Sequence, residues 1–394
     1  MHRMIVFLGG LIFLNVLAAP VAAQSPEVLR EFFRSGDLAR KVRVLETAHR
    51  GDLEPHAALF HETIRYAISG IPQHQSEQRF RTLIVLAADG LRRTNHADAA
   101  IDLWQLFEDF QNQETRSAIM SALEQVGADN PRVVRDMADW LRRQHGVYAA
   151  GGRPDVQVVA MTIRAIGAFE SPVAFPVLVE AALLKYPDYV TDLALDGIPR
   201  IPGDRQAMAA TFLTFQPVTE RSRGLSFFLA SDLLSDEEKL QLASDALDTF
   251  AHRRNLSSLE TQEYRNIRMI AADAVAAAGY GDATFGMIRH FEQSALDYER
   301  GLIFSHDLIT AIHTLGAMPT EAAVRRLSDY LTLLNVRSSG GSHMDPQVLL
   351  ATIEALKNSD SPVAQDALLF ATMMENYPAR VRQAAVRDMT MIVQ

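Results

Sequence analysis

The sequence contains no cysteine. No disulfide or thiolate nucleophile therefore enters its chemistry, and it holds together without cross-links even in an oxidising compartment. Beyond its first two dozen residues no apolar run is long enough to cross a bilayer, because the remaining ones are short and broken by charges. There is no Gly-rich phosphate loop, and Gly224-Leu225-Ser226-Phe227-Phe228 has the wrong last residue for a nucleophile elbow. No basic cluster with interleaved aromatics occurs, and 48 acids outweigh 38 basic residues for a net charge of −10. That balance disfavours nucleic acid as a partner and favours solubility.

What is present begins with an address. Met1-His2-Arg3 is followed by the apolar stretch Ile5-Val6-Phe7-Leu8-Gly9-Gly10-Leu11-Ile12-Phe13-Leu14, and then by Ala18-Ala19-Pro20-Val21-Ala22-Ala23 ahead of Gln24. A basic start, a short apolar core and a small-residue end are the parts of a secretory signal peptide. Asn15 and Pro20 interrupt the stretch, which is short of the roughly 20 residues a span needs. Cleavage after Ala23 and a periplasmic or secreted location are the expectations, with residues 1–23 as leader. Losing Arg3 with the leader takes the net charge to −11.

A nine-residue pattern then recurs about every forty residues: Ile119, Ala122, Leu123, Val126, Gly127; Val159, Thr162, Ile163, Ile166, Gly167; Ala271, Ala274, Val275, Ala278, Gly279; Leu308, Ala311, Ile312, Leu315, Gly316. A fifth copy, Leu349, Thr352, Ile353, Leu356, carries Lys357 in place of Gly. Offsets of three, four and seven place these side chains on one helical face, and the Gly suits a left-handed helix stop. Asn130-Pro131, Ser171-Pro172 and Ser361-Pro362 follow, each an N-cap with Pro at the first helical position. They predict helices over 131–143, 172–185 and 362–375, with another from Pro319-Thr320-Glu321 to about 334.

Ser171-Pro172-Val173-Ala174 returns as Ser361-Pro362-Val363-Ala364, and Tyr186-Pro187 returns as Tyr377-Pro378. Each Pro divides the two helices of a pair. Gly167 and Gly279 are 112 residues apart, about three periods, so two worn units belong between them. Their helices are expected at 188–198, 204–215, 219–231 and 236–252. Earlier amphipathic stretches cover 27–33, 38–50, 54–68, 77–92 and 97–110. Nothing alternates as a strand does.

The unit resembles a HEAT repeat, most clearly over 113–182 and 262–394. Pro378-Ala379-Arg380-Val381-Arg382-Gln383-Ala384-Ala385 is similar to the start of that family's second helix, and Glu114-Thr115-Arg116-Ser117-Ala118 more loosely so. Most units lack the family's Asp and Arg ladder between repeats. The resemblance implies an all-α, right-handed α-α superhelix of about nine helix pairs, with worn repeats over 24–112 and clearer ones over 113–394. It transfers no catalytic residue. Two loops, 144–154 and 338–345, are expected between first and second helices, on the edge where binding insertions occur.

Side chains with chemical potential do not assemble into a recognisable set. His61-Glu62 begins like a zinc helix, but the position four on from His61 is Arg65. His306 and His313, seven apart with Asp307 adjacent, share a face and form the strongest metal or proton-switch candidate. Ser342, His343 and Asp345 have triad residue types but lie nearly consecutively in a Gly-Ser loop. Asp232, Asp236, Glu237 and Glu238 fit no calcium loop, and the last three suit a helix N-terminus. Phe227, Phe228, Tyr186, Tyr189, Phe212 and Phe215 cluster in the middle third, as core or as a groove. No catalytic, cofactor or metal residue is assigned. The expected function is a non-enzymatic exported scaffold that binds a protein partner along its surface, without nucleic acid or a membrane span. The alternative is a metal-dependent, glycan-binding or small-ligand-binding protein with its site on the inner helices.

Overall fold

The computed structural model describes residues 25–251 and 256–386. The expected leader at 1–23 lies outside them, as does the His252 end of the helix expected at 236–252. Among the described residues there are twenty α-helices, short 3-10 turns and no strands. The fold is all-α. The helices form ten pairs rather than about nine, in two compact units, one ending at Pro202 and the other beginning at Gly203. The boundary expected at 112/113 falls inside the first.

The first unit comprises α1 (Pro26–Ser35), α2 (Leu38–Ala48), α3 (Ala57–His74), α4 (Gln78–Thr94), α5 (Ala100–Asp109), α6 (Gln113–Val126), α7 (Pro131–Ala149), α8 (Val156–Ala168), α9 (Phe175–Leu183) and α10 (Asp188–Gly197). Each odd helix packs on the even helix after it. Odd helices also pack on odd ones, α1 through α9, and even helices on even ones, α2 through α10. The unit is therefore two layers deep, and no pair covers its own apolar stripe alone.

The second unit repeats the scheme with α11 (Arg205–Phe215), α12 (Val218–Ala230), α13 (Asp236–Thr249), α14 (Ser258–Ala278), α15 (Thr284–Glu299), α16 (Ser305–Gly316), α17 (Glu321–Ser339), α18 (Pro346–Asn358), α19 (Gln365–Met373) and α20 (Ala379–Val386). Odd helices α11 to α19 contact in series, as do even helices α12 to α20.

The nine-residue pattern is the buried face of the even helices. Ile119, Leu123, Ile163, Ile312 and Ile353 are wholly enclosed. Thr162 and Thr352, in the pattern's small slot, turn their buried hydroxyls back to Val158 O and Val348 O at 2.9 and 2.8 Å. The copy at Ala271 fits less well, because Ala274 is half-buried and Ala278 exposed at the helix end.

The pattern's glycine does a different job from the one its position suggests. Only Gly279 is left-handed, at φ +59°. Gly167 lies inside α8, where a Cβ would come within 3.2 Å of Gly197 Cα on α10. Gly316 ends α16, where a Cβ would sit 2.6 Å from Ala355 Cβ on α18. The missing side chain lets neighbouring even helices approach closely. The left-handed glycine stop occurs instead on the odd helices. After α7, α15 and α17, Gly151, Gly301 and Gly341 take φ of +81°, +69° and +89°. Gly152, Leu302 and Ser342 then donate back to Val147, Asp297 and Arg337 carbonyls, the six-to-one bond of the Schellman motif. That stop sets the loops: α7 runs through Gly146 to Ala149 and α17 to Ser339, so the expected loops at 144–154 and 338–345 shrink to 150–155 and 340–345.

Even helices leave through another shared turn. Asn95, Glu170, Gly279 and Asp360 are left-handed, and each is followed by one residue and a three-residue 3-10 turn ending in buried Ala99, Ala174, Ala283 or Ala364. The helices expected at 172–185 and 362–375 therefore start as 3-10 turns and become α9 and α19 three residues later. Asn130 caps α7 as expected, accepting from Arg132 and Val133 N–H at 3.1 and 3.2 Å.

Candidate functional site

Arginine–carboxylate pairs bridge successive odd helices in both units. Arg30 and Arg34 of α1 hold Glu62 of α3 at 3.0 and 2.6 Å, Arg65 of α3 holds Asp102 of α5 at 2.8 Å, and Arg143 of α7 holds Glu108 of α5 at 3.1 Å. In the second unit Arg326 and Arg337 of α17 hold Glu292 and Glu299 of α15 at 2.7 and 2.5 Å. Most units lack the HEAT family's Asp and Arg ladder in sequence, and charged bridges between repeats are present nonetheless. Those named lie on first helices, at spacings of 28 to 38 residues, and even helices are bridged too, Arg164 of α8 holding Glu124 of α6 at 2.9 Å.

These bridges consume the His-Glu pair. Glu62 is committed to two arginines, which hold its carboxyl below the usual range, led by the Arg34 hydrogen bond. His61 Nε2 lies 2.7 Å from Asp102 Oδ2. Burial pushes the Asp102 carboxyl up, but the Arg65 and His61 hydrogen bonds outweigh it and leave it low.

The other candidates disperse in the same way. His306 is exposed, stacks on Phe304 at 5.9 Å and lies 3.1 Å from Asp307, while Asp307 accepts from Phe304 N–H to cap α16. His313 is exposed on the same helix. Among the described residues no three His, Asp or Glu side chains gather to hold a metal. Asp345 caps α18 through Gln347 N–H at 2.8 Å, leaving Ser342 and His343 exposed in the loop. Ser235 and Glu238 form a reciprocal cap at the start of α13, the use expected for that acidic turn. Of the middle-third aromatics, Tyr186, Phe212 and Phe228 are core, Phe227 is half-buried, and Tyr189 and Phe215 are exposed.

Three buried polar groups lay outside the sequence expectations. The first is a matched pair. His145 of α7 spans Tyr186 OH and Val177 O, both at 3.1 Å. Asn335 of α17 spans Tyr377 OH at 2.7 Å and Ala367 O at 3.2 Å. Both side chains use one donor and one acceptor to join the carbonyl of a short odd helix to the Tyr of the Tyr-Pro stop. In its neutral form His145 donates Nε2–H to Val177 O and accepts the Tyr186 hydroxyl at Nδ1. Burial lowers it to about 4.

The second group lies between α14 and α15. Buried Arg268 donates to Phe250 O at 3.0 Å, Arg265 pairs with Asp297 at 3.3 Å, and enclosed His290 is pushed down to about 3 by burial and by the Arg268 charge. Burial also takes Arg268 down to about 10.

The third group is centred on Arg116 of α6, which is 9% exposed. Its guanidinium carbon lies 4.2 Å from the centre of the Phe107 ring and 5.4 Å from that of Trp140. Trp104 stacks on Phe107 at 5.0 Å, and Trp140 meets Phe107 edge-on at 5.3 Å. Both tryptophans of the chain are thus here. Arg116 Nε and Trp104 Nε1 are enclosed donors without an acceptor. Burial lowers the Arg116 guanidinium, and the fields of Asp155 and Glu108 partly restore it.

Arg116 and Arg268 occupy one position of the repeat, three residues before the first apolar residue of the pattern, Ile119 or Ala271. That shared slot was the available sequence signal. No helix among the described residues is long and apolar enough to cross a membrane. No protein-family model matches the chain, and no curated protein matches it.

Proposed function

We propose that the protein is an exported, non-enzymatic scaffold, a HEAT-like α-solenoid that binds a protein partner along the outer face of its odd helices. The observation that carries this reading is an exposed apolar set recurring at the repeat distance in the second unit. Leu296 of α15, Leu333 of α17 and Phe370 of α19 are all exposed at intervals of 37 residues. Val336 and Met373, at the same interval, are 56% and 65% exposed. These residues keep 36–65% of their surface in solvent, and apolar residues aligned across neighbouring helices mark an interaction surface. The two-layer packing supports the solenoid, since layers of this kind present long faces to extended partners. Export rests on the leader motif.

General crosslinking in intact cells tests the reading. A protein adduct is expected for the wild type and expected to vanish in Leu333→Glu/Phe370→Glu, which alters exposed positions only. An adduct of unchanged yield in the variant would remove this face from consideration.

A further inference from the structure

Three successive odd-to-even turns of the second unit, after α11, α13 and α15, lie on one edge. The charges of Asp204 and Arg205 at the start of α11 act on Glu238 at the start of α13, so these two helices run in parallel. Near the other ends, Arg221 of α12 lies 6.0 Å from the centre of the Phe250 ring that follows α13. Ser222 N–H donates to Glu263 of α14 at 2.8 Å, and Arg265 of α14 reaches Asp297 near the end of α15 at 3.3 Å. Exposed large apolar side chains gather on this edge. Phe215 ends α11, Leu259 opens α14, and Leu302 and Phe304 stand in the turn from α15 to α16, all 54–80% exposed. Among the described residues of α11 to α16, the opposite edge carries Phe285 alone of this kind, and Leu296 belongs to the outer face.

The acids near these turns are engaged: Glu220, Asp297 and Glu299 by arginines, and Glu260, Glu263 and Asp307 by backbone N–H donors. Exposed Arg300, beside Leu302, forms no ion pair with a described residue. The edge therefore offers apolar tips and a free cation. Its form selects the occupant. Packed helices are spaced about 8–10 Å apart, so the tips stand singly on successive turns, with Ser257 and Ser305 between them. A protein partner draws its affinity from a continuous, closely fitted apolar centre, which such a row does not provide. A bilayer surface accepts Phe and Leu one at a time, each in proportion to the apolar area it buries, and its phosphates suit an arginine. We infer that this edge docks on the surface of a phospholipid bilayer. Phe215, Leu259, Leu302 and Phe304 enter the headgroup boundary, and Arg300 meets phosphate. The attachment is peripheral, goes beyond the scaffold reading and does not depend on it.

Phe304→Trp and Phe285→Trp place a reporter at an exposed position near either end of α15, a helix about 24 Å long. Each full-length variant is mixed with vesicles of phosphatidylcholine and phosphatidylglycerol whose acyl chains are brominated. Bromine quenches only an indole that enters the boundary, and the wild type, with Trp104 and Trp140 in the first unit, supplies the background. The added emission should be lost at position 304 and kept at position 285. Arg300→Gln in the Phe304→Trp chain should raise the lipid concentration for half-quenching about fivefold. Full emission at position 304, the result expected of an edge that binds protein, would overturn the inference. So would equal loss at 304 and 285, or an unchanged half-point in the arginine variant. The leader is common to every chain, so attachment through it alone gives one of the first two of these contrary results.

Discussion

Replacing His145 with Asn should abolish an acid-induced loss of stability in the first unit while leaving its neutral-pH stability nearly intact. The reason is the match with Asn335, which makes the same two hydrogen bonds in the second unit through one donor and one acceptor. An imidazole in this place must shed its proton. Burial disfavours the charged ring, the Arg142 charge adds to that penalty, and protonation would take Nδ1 away as acceptor for the Tyr186 hydroxyl. The folded-state value is about 4, against 6.5 for an ordinary His. A depressed value means that the unfolded chain takes up the proton first. The contribution is therefore complete above pH 6.5 and is lost as pH falls towards 4. At about 1.4 kcal/mol per unit, the wild type should lose about 2–3 kcal/mol from this group between pH 7 and pH 4.5. His145→Asn should lose none of it, and at pH 7 should lie within about 1 kcal/mol of the wild type. Urea unfolding followed by tryptophan emission reads the first unit, where Trp104 and Trp140 lie, and the difference between variant and wild type at each pH cancels the shared acid losses of Glu62, Asp102 and His56. Parallel pH profiles for variant and wild type would refute the argument, as would a loss at pH 7 exceeding about 2 kcal/mol.

Other perturbations test other parts of the account. Gly316→Ala should lower stability by about 1–3 kcal/mol, because its Cβ would meet Ala355 Cβ at 2.6 Å. A Gly serving only helix propensity would give the opposite sign in thermal unfolding, a gain of up to about 1 kcal/mol, and Ala355→Gly should restore part of the loss. Ile312→Ala, at a wholly enclosed position, should cost about 2–5 kcal/mol, and an unchanged midpoint would refute the register of the pattern. Glu170→Gly should raise the midpoint modestly, since Glu170 sits at φ +52°; a fall would show that the side chain has a task of its own. Mass spectrometry of the mature protein should find Gln24 at its N-terminus, and a retained Met1 would rule out cleavage.

Periodicity carried most of the helices because burial of one face every 3.6 residues leaves a direct trace in residue type. It carried less about how helices end. A Gly in sequence records a missing Cβ but not whether the backbone or a neighbour requires it, and at Gly167 and Gly316 the neighbour does. Conversely, Asn95, Glu170 and Asp360 hold left-handed positions that pattern reading assigns to Gly, because the surrounding turn fixes them. Gly146 looked like a loop residue, yet the stop that ends α7 comes at Gly151. The equivalence of His145 and Asn335 was hidden for another reason. Different residue types share one donor-and-acceptor pattern, and only the common Tyr-Pro stop hinted that their surroundings match. The bridges between odd helices escaped notice because long side chains reach partners over a range of spacings. Of the site candidates, His61 and Glu62 could be excluded as a zinc motif from spacing, but their ion pairs with Asp102, Arg30 and Arg34 depend on tertiary packing.

Partner binding on the odd-helix face can be tested by placing a photoreactive residue at single positions in intact cells. Probes at Leu333 and Phe370 are predicted to capture the same protein, whereas a probe at exposed Glu354 on even helix α18 should capture none. Failure of both odd-helix probes, or capture of that same protein from position 354, would contradict the account.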